Sequence, residues 1–215
     1  MVKAVFFDLW NTILCCSTKN KVDEIISVLG LSGKVDYCKV MEDMDSKLFV
    51  NAEYDIETFL RELCDTYRVR YGSRTLSRAA NVWRARLKEA EFFPETKAVL
   101  SELKKDYKIG LISNTDRSGA VYAKNVLKLG RYFDSMILSY EVGRVKPDPM
   151  IFKIALDDVG ADPKESWMVG DSPRMDIEGA RSAGMNAVLI DRSGITRREK
   201  YPVIKNLNEL KDIIK

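Results

Sequence analysis

Asp8 ends an apolar run, Val5-Phe6-Phe7-Asp8, and is followed by Leu9-Trp10-Asn11-Thr12. A run of this kind reads as a buried strand that delivers one carboxylate to the rim of a sheet, where it can act as a nucleophile toward phosphorus or carbon. Taken alone, the same acid would also serve to cap a turn. Later in the chain come Leu111-Ile112-Ser113-Asn114, Lys146-Pro147-Asp148-Pro149, and Val169-Gly170-Asp171-Ser172 with Asp176 beyond it. Asp171 stands at a strand end and offers the hard oxygen that Mg²⁺ prefers. Asp176 lies near the start of a helix, a place that the helix dipole favours for any acid. Ser113 and Asn114 are by themselves turn residues, and Pro147 holds the backbone of Lys146 extended.

These residues need a scaffold, and the apolar pattern describes one. Strand-length runs rich in Val, Ile, Leu or Phe occupy residues 2–8, 109–114, 135–140, 166–171 and 186–191. Helical patterns separate them, with Val99, Leu100 and Leu103 on one face and Ile151, Ile154, Ala155 and Val159 on another. The alternation predicts an α/β fold, a Rossmann-like parallel sheet covered by helices on both faces. Asp148-Pro149 and Ser172-Pro173 each set an N-cap residue before a proline at the first helical position, so two helices begin just after candidate site residues. From about Leu14 to Phe92 the periodicity is helical throughout. Ile56, Phe59, Leu60, Leu63, Cys64 and Tyr67 form one stripe, Leu76, Ala80, Trp83, Leu87 and Ala90 a second, and Val22, Ile25, Ile26 and Leu29 a third that ends at Gly30. An all-helical insertion placed directly after the nucleophile strand is positioned to close over the site as a lid.

Composition removes several alternatives. There is no histidine in the 215 residues, which excludes Ser-His and Cys-His relays and imidazole metal sites. Cys15, Cys16, Cys38 and Cys64 show no CxxC spacing, so neither a zinc ribbon nor a disulfide scaffold is expected. The net charge of +3 is spread along the chain without a basic run, giving no reason to expect a nucleic-acid partner. Asp8 interrupts the first apolar stretch far short of membrane-spanning or signal-peptide length, and the expectation is a soluble, cytoplasmic protein with no membrane partner.

The four motifs, in this order and each at a predicted strand end, resemble those of the haloacid dehalogenase superfamily, in its branch with a helical cap inserted after the first motif. The resemblance covers residues 1–13 and 93–215, which it implies form the α/β core domain, while residues 14–92 match a cap domain in position and helical character. It implies that Asp8 is the nucleophile of the DxxxT pattern, with Thr12 in place to bind substrate. Ser113 would donate a hydrogen bond to the phosphoryl oxygens, with the amide of Asn114 assisting. Lys146 would neutralise the nucleophile and the transferring group. Mg²⁺ would be held by Asp8, the carbonyl of Trp10, Asp171 and Asp176.

One position departs from the phosphatase pattern. Trp10 stands where those enzymes carry a second aspartate that protonates the leaving alkoxide and then activates water. Losing a general acid/base commonly costs about 10²- to 10⁴-fold. The expectation is a Mg²⁺-dependent phosphohydrolase acting on a small phosphorylated metabolite, borrowing its acid from Asp116 or from the cap or else using activated phosphates. Two alternatives are a metal-independent dehalogenase, whose relatives have tyrosine in this place, and a non-catalytic protein that holds a phosphorylated ligand or a partner. The cap arginines Arg61, Arg68, Arg70, Arg84 and Arg86 read as solvated helix charges.

Overall fold

The computed structural model describes residues 2–15, 18–195 and 200–214. Its main sheet contains six parallel strands: β1 (Ala4–Phe7), β4 (Lys108–Ser113), β5 (Ser135–Leu138), β6 (Ser166–Gly170), β7 (Asn186–Ile190) and β8 (Val203–Ile204), in the order β5-β4-β1-β6-β7-β8. The five predicted runs are all strands, and β8 adds a sixth. Its two residues are too few to carry a periodic signal.

Side chains alternate across β1, so its two faces feed two different cores. Val5 and Phe7 pack with Val99, Leu100 and Leu103 of a covering helix and with Leu207 and Leu210 near the chain's end. Ala4 and Phe6 pack on the other side with Ile151, Phe152 and Ala155. Asp8, in phase with Ala4 and Phe6, leaves the strand toward the second side. The chain builds β4 and β5 on one flank of β1 and then crosses to build β6, β7 and β8 on the other. That reversal opens a crevice at the carboxyl ends of β4, β1 and β6, the usual ligand position in open α/β sheets.

Between β1 and β4 lies the helical insertion, with α1 (Thr18–Val28), α2 (Tyr37–Asp43), α3 (Ile56–Thr66) and α4 (Ser73–Lys88). A π-helical turn, Met44–Leu48, continues α2. The amphipathic stripes close on each other: Ile25, Phe59, Leu60, Leu63, Ala80 and Trp83 share a hydrophobic core separate from the two that flank the sheet. Helix α4 ends at Lys88, two residues short of its stripe, leaving Ala90 outside it. The insertion is also not purely helical. Its two connections to the sheet domain pair as an antiparallel ribbon, β2 (Leu14–Cys15) with β3 (Glu91–Phe92). Among the described residues, no helix is long and apolar enough to cross a membrane.

Candidate active site

Local chain structure places the acids. The amide of Asp8 donates to the carbonyl of Val169 at 2.9 Å, which holds the end of β1 against the end of β6. Asn11 then takes a left-handed conformation with φ of 59°, a conformation Asn tolerates better than most residues, and turns the chain back so that Leu14 bonds to Leu9. After β6, Ser172 caps the turn Pro173–Glu178 by accepting from the amide of Met175. This turn brings Asp176 back beneath Gly170. A Cβ on Gly170 would overlap the Asp176 carboxylate, so only glycine lets the acid pass. Asp148 caps the helix Pro149–Val159 as the sequence predicted, and Lys146 enters through a cis bond to Pro147.

Lys146 is the centre of the arrangement. Its Nζ donates to Asp8 Oδ1 and to Asp176 Oδ1, both at 2.6 Å, with all three side chains buried. The second oxygen of Asp176 accepts from the amide of Ser172 at 3.0 Å. Asp171 completes a group in which Asp8, Asp171 and Asp176 each bring a carboxylate oxygen within 4.8 Å of the others. Ionised together, they set three negative charges against one ammonium in a buried place. The consequences are visible in the acid strengths. Burial, then the carboxylates of Asp8 and Asp176, push the Asp171 carboxyl well above the ordinary range. Asp8 is also raised, chiefly by burial and against the pull of Lys146. Burial opposes the charge of Lys146, yet Asp176 and Asp8 outweigh it and hold the ammonium firmly protonated. Hard oxygen donors carrying excess negative charge fit a divalent cation such as Mg²⁺.

A cavity of about 270 Å³ lies over this cluster, roofed by the insertion through Tyr37, Met41, Phe49 and Trp83. Asp8, Trp10, Asn114, Lys146, Asp171 and Asp176 all line it. Thr12 and Ser113 are not among the lining residues. Both are fully buried, and their hydroxyls have no hydrogen-bond partner among the described residues. The Asn114 side chain has a different use from the one expected for its amide. It clamps the backbone of Lys146, donating to its carbonyl at 3.0 Å and accepting from its amide at 2.8 Å.

The structure corrects two expectations. Arg86 is not a solvated helix charge but is 2% exposed. Its guanidinium lies 3.5 Å from the centre of the Trp83 ring and 5.9 Å from that of Trp10. It also pairs with Asp116 at 2.5 Å, a contact that joins α4 to the sheet domain. Asp116 consequently cannot be the borrowed acid. Burial raises its pKa, but Arg86 and Ser118 override that and hold it below the usual carboxylate range. It is also occupied as a helix cap, accepting from the amides of Ser118 and Gly119. Among the other arginines, Arg84 does pair at the surface, with Glu57.

Two residues were missed by sequence reasoning. Asp45, in the π-helical turn of the insertion, lines the cavity, and its Oδ1 accepts from Asn114 Nδ2 at 3.3 Å. Arg192 ties down the loop after β1, donating to the carbonyls of Thr12 at 2.6 Å and Asn11 at 3.3 Å while pairing with Glu95. Neither lies in a local motif. The only sequence signal for Asp45 was its place in the insertion.

Comparison with known proteins agrees with this geometry. The family model described as haloacid dehalogenase-like hydrolase matches residues 2–184. N-acylneuraminate-9-phosphatase of Homo sapiens is 28% identical over 217 residues, covering 94% of this chain and 88% of that protein. Glyceraldehyde 3-phosphate phosphatase of Pyrococcus abyssi is 30% identical, with 87% and 81% covered. Among solved structures, a phosphatase from Thermococcus onnurineus superposes with a TM-score of 0.68 at 25% identity, covering 99% of this chain and 98% of that one.

Proposed function

Given that the chain belongs to the haloacid dehalogenase-like hydrolases, we propose that it is a Mg²⁺-dependent phosphohydrolase working through an aspartyl-phosphate on Asp8. The observation that carries this reading is the Lys146 ammonium held between Asp8 and Asp176 with Asp171 beside them. Such a cluster disposes two positive species, one resident and one acquired, around a carboxylate nucleophile. Relatives named as phosphatases of small phosphorylated metabolites support the same substrate class.

In this reading Asp8, Asp171, Asp176 and the Trp10 carbonyl would hold Mg²⁺; both oxygens of Asp176 already accept hydrogen bonds, from Lys146 and from the amide of Ser172. The ion supplies charge neutralisation for an incoming phosphoryl group. The chain's own residues do the rest. Lys146 keeps the ionised form of Asp8 and attracts the phosphoryl oxygens. An oxygen of Asp8 attacks phosphorus as the bond to the leaving oxygen breaks, and water then cleaves the aspartyl-phosphate to return Asp8 and release phosphate. Ser113 and Thr12 each bury a hydroxyl with no partner among the described residues, which costs about 1–3 kcal/mol, and in this reading a bound phosphoryl group would have to reach Ser113 beneath the cavity lining to relieve it.

We place the division at residues 1–13 and 93–215 for the core and 14–92 for the cap, which has its own hydrophobic core and roofs the cavity. Opening at the ribbon β2/β3 would admit substrate and closing would exclude water. The hinges of this motion lie near Leu14 to Ser17, of which Cys16 and Ser17 are outside the described residues, and near Phe92 to Pro94.

A panel of phosphorylated and halogenated acids, assayed with Mg²⁺ and with chelator, tests the reading. Phosphate release that requires Mg²⁺ is the expected result. Metal-independent halide release would move the protein to the dehalogenases, and no turnover of either class would favour a binding role.

A further inference from the structure

The phosphohydrolase reading leaves the reaction without an acid, because Trp10 occupies the place of the second aspartate and Asp116 is locked as an anion by Arg86. Among the described residues, the carboxyls lining the cavity are those of Asp8, Asp171, Asp176 and Asp45. The first three belong to the Lys146 cluster. Asp45 comes from the helical insertion, in the turn Met44–Leu48.

We propose that Asp45, carried by the helical cap, is the general acid and base of this hydrolysis and takes over the work that the residue at Trp10 no longer does. The inference rests on the phosphohydrolase reading and goes beyond it. Asp45 is held toward the reacting centre by one intermediary: Asn114 donates to it at 3.3 Å and clamps the backbone of Lys146, whose Nζ is 2.6 Å from Asp8. No ion pair engages it among the described residues. The charged groups that act on it are Lys146 and Arg174 from the sheet domain and Glu42 from its own segment, with the Tyr37 phenol nearby on α2. Burial is the dominant influence and raises its pKa to about 6, against Asn114, Lys146 and Arg174. A carboxyl titrating there can both give and take a proton near neutrality. Short π-helical turns such as Met44–Leu48 are frequent at functional sites.

The proton balance is complete. As Asp8 bonds to phosphorus, the departing oxygen takes the Asp45 proton and leaves as an alcohol, and Asp45 becomes a carboxylate. Asp45 then removes a proton from water while that water's oxygen attacks the phosphorus. Phosphate leaves, Asp8 regains its carboxylate and Asp45 its proton. Because the acid sits on the cap, it is present only when the cap is closed, which ties chemistry to closure.

The test is Asp45→Asn in the full chain with Mg²⁺, using glycerol phosphate and p-nitrophenyl phosphate. Asparagine keeps an acceptor for Asn114. Turnover of glycerol phosphate should fall about 10²- to 10⁴-fold, and the alkaline limb of its kcat/KM profile should disappear. With p-nitrophenyl phosphate, a burst of one p-nitrophenolate per chain should persist, since that group leaves unassisted, and the steady state behind it should slow for want of a base. Asp45→Glu should regain part of the loss, and Trp10→Asp placed in the Asp45→Asn chain should restore glycerol phosphate turnover. If Asp45→Asn keeps the wild-type rate and pH profile, or loses the burst as fully as the alkyl reaction, Asp45 is not the acid. If wild type turns over neither phosphate, the phosphohydrolase reading falls and this inference with it.

Discussion

Lys146 and Arg86 are the two cations lining the cavity that are each 2% exposed, and their surroundings are opposite in balance. Arg86 sets its charge against the carboxylate of Asp116, and Asp116 becomes a stronger acid than usual. Lys146 meets Asp8 and Asp176 at once with Asp171 adjoining, so negative charge is in excess and both Asp8 and Asp171 become weaker acids. The Arg86–Asp116 pair joins α4 of the helical insertion to the sheet domain. The anionic cluster lies wholly in the sheet domain, with Asp8 and Asp171 just past strand ends, Lys146 in the loop before Pro149–Val159 and Asp176 in the turn after β6, and its excess charge suits a cation. Burial alone does not separate the two kinds of site; the local sum of charges does.

The contrast is most open to attack at Asp8. Asp8→Asn should reduce phosphate release by roughly 10⁴- to 10⁶-fold, the scale seen when a nucleophile is removed. The unfolding midpoint should hold or rise, since one charge leaves an over-anionic cluster. A variant that turns over normally would show that the mismatch has nothing to do with catalysis.

Next in size is Arg86→Met. It strands Asp116 as a buried anion, and removing one partner of a buried pair costs about 3–5 kcal/mol. Urea unfolding should show that loss, and adding Asp116→Asn should recover most of it. The exposed pair Arg84–Glu57 is the control, where Arg84→Ala should cost no more than about 1 kcal/mol. Equal effects at the two sites would erase the distinction drawn for Arg86.

The smallest expected effect concerns pH and metal. The Asp171 carboxyl is raised from 3.8 to about 8, so between those values the folded protein holds a proton that the unfolded chain has lost. That contribution stabilises the fold at low pH and is lost as pH rises toward 8. Mg²⁺ binds the ionised form and should oppose the loss. The rise in melting temperature caused by Mg²⁺ over chelator should therefore be slight near about pH 5 and grow toward about pH 8. A metal effect that is flat with pH would mean Asp171 is not among the groups that hold it.

The same contrast explains what could be read from the chain. Asp148 and Ser172 cap their helices as expected because a cap is formed by residues a few positions apart. The apolar strands and the stripes of α3 and α4 were legible for the same reason. Arg86 was misread as a surface charge because its polarity suits the outside of α4, while its actual position on Trp83 is decided by how the cap lies against the sheet domain. Asp116 looked like a free acid because the residue that ionises it is 30 positions away.

By itself, the sequence determined the strand and helix pattern, the order of the four motifs and the substitution at Trp10, all of which depend on residue type and short-range periodicity. The tertiary structure alone decided which charges would be shared. Lys146 reaches Asp8 across 138 positions and Asn114 reaches Asp45 across 69. No local propensity encodes such contacts, because they arise only when buried side chains from distant segments must satisfy one another's charge and hydrogen bonds in a place that water does not reach.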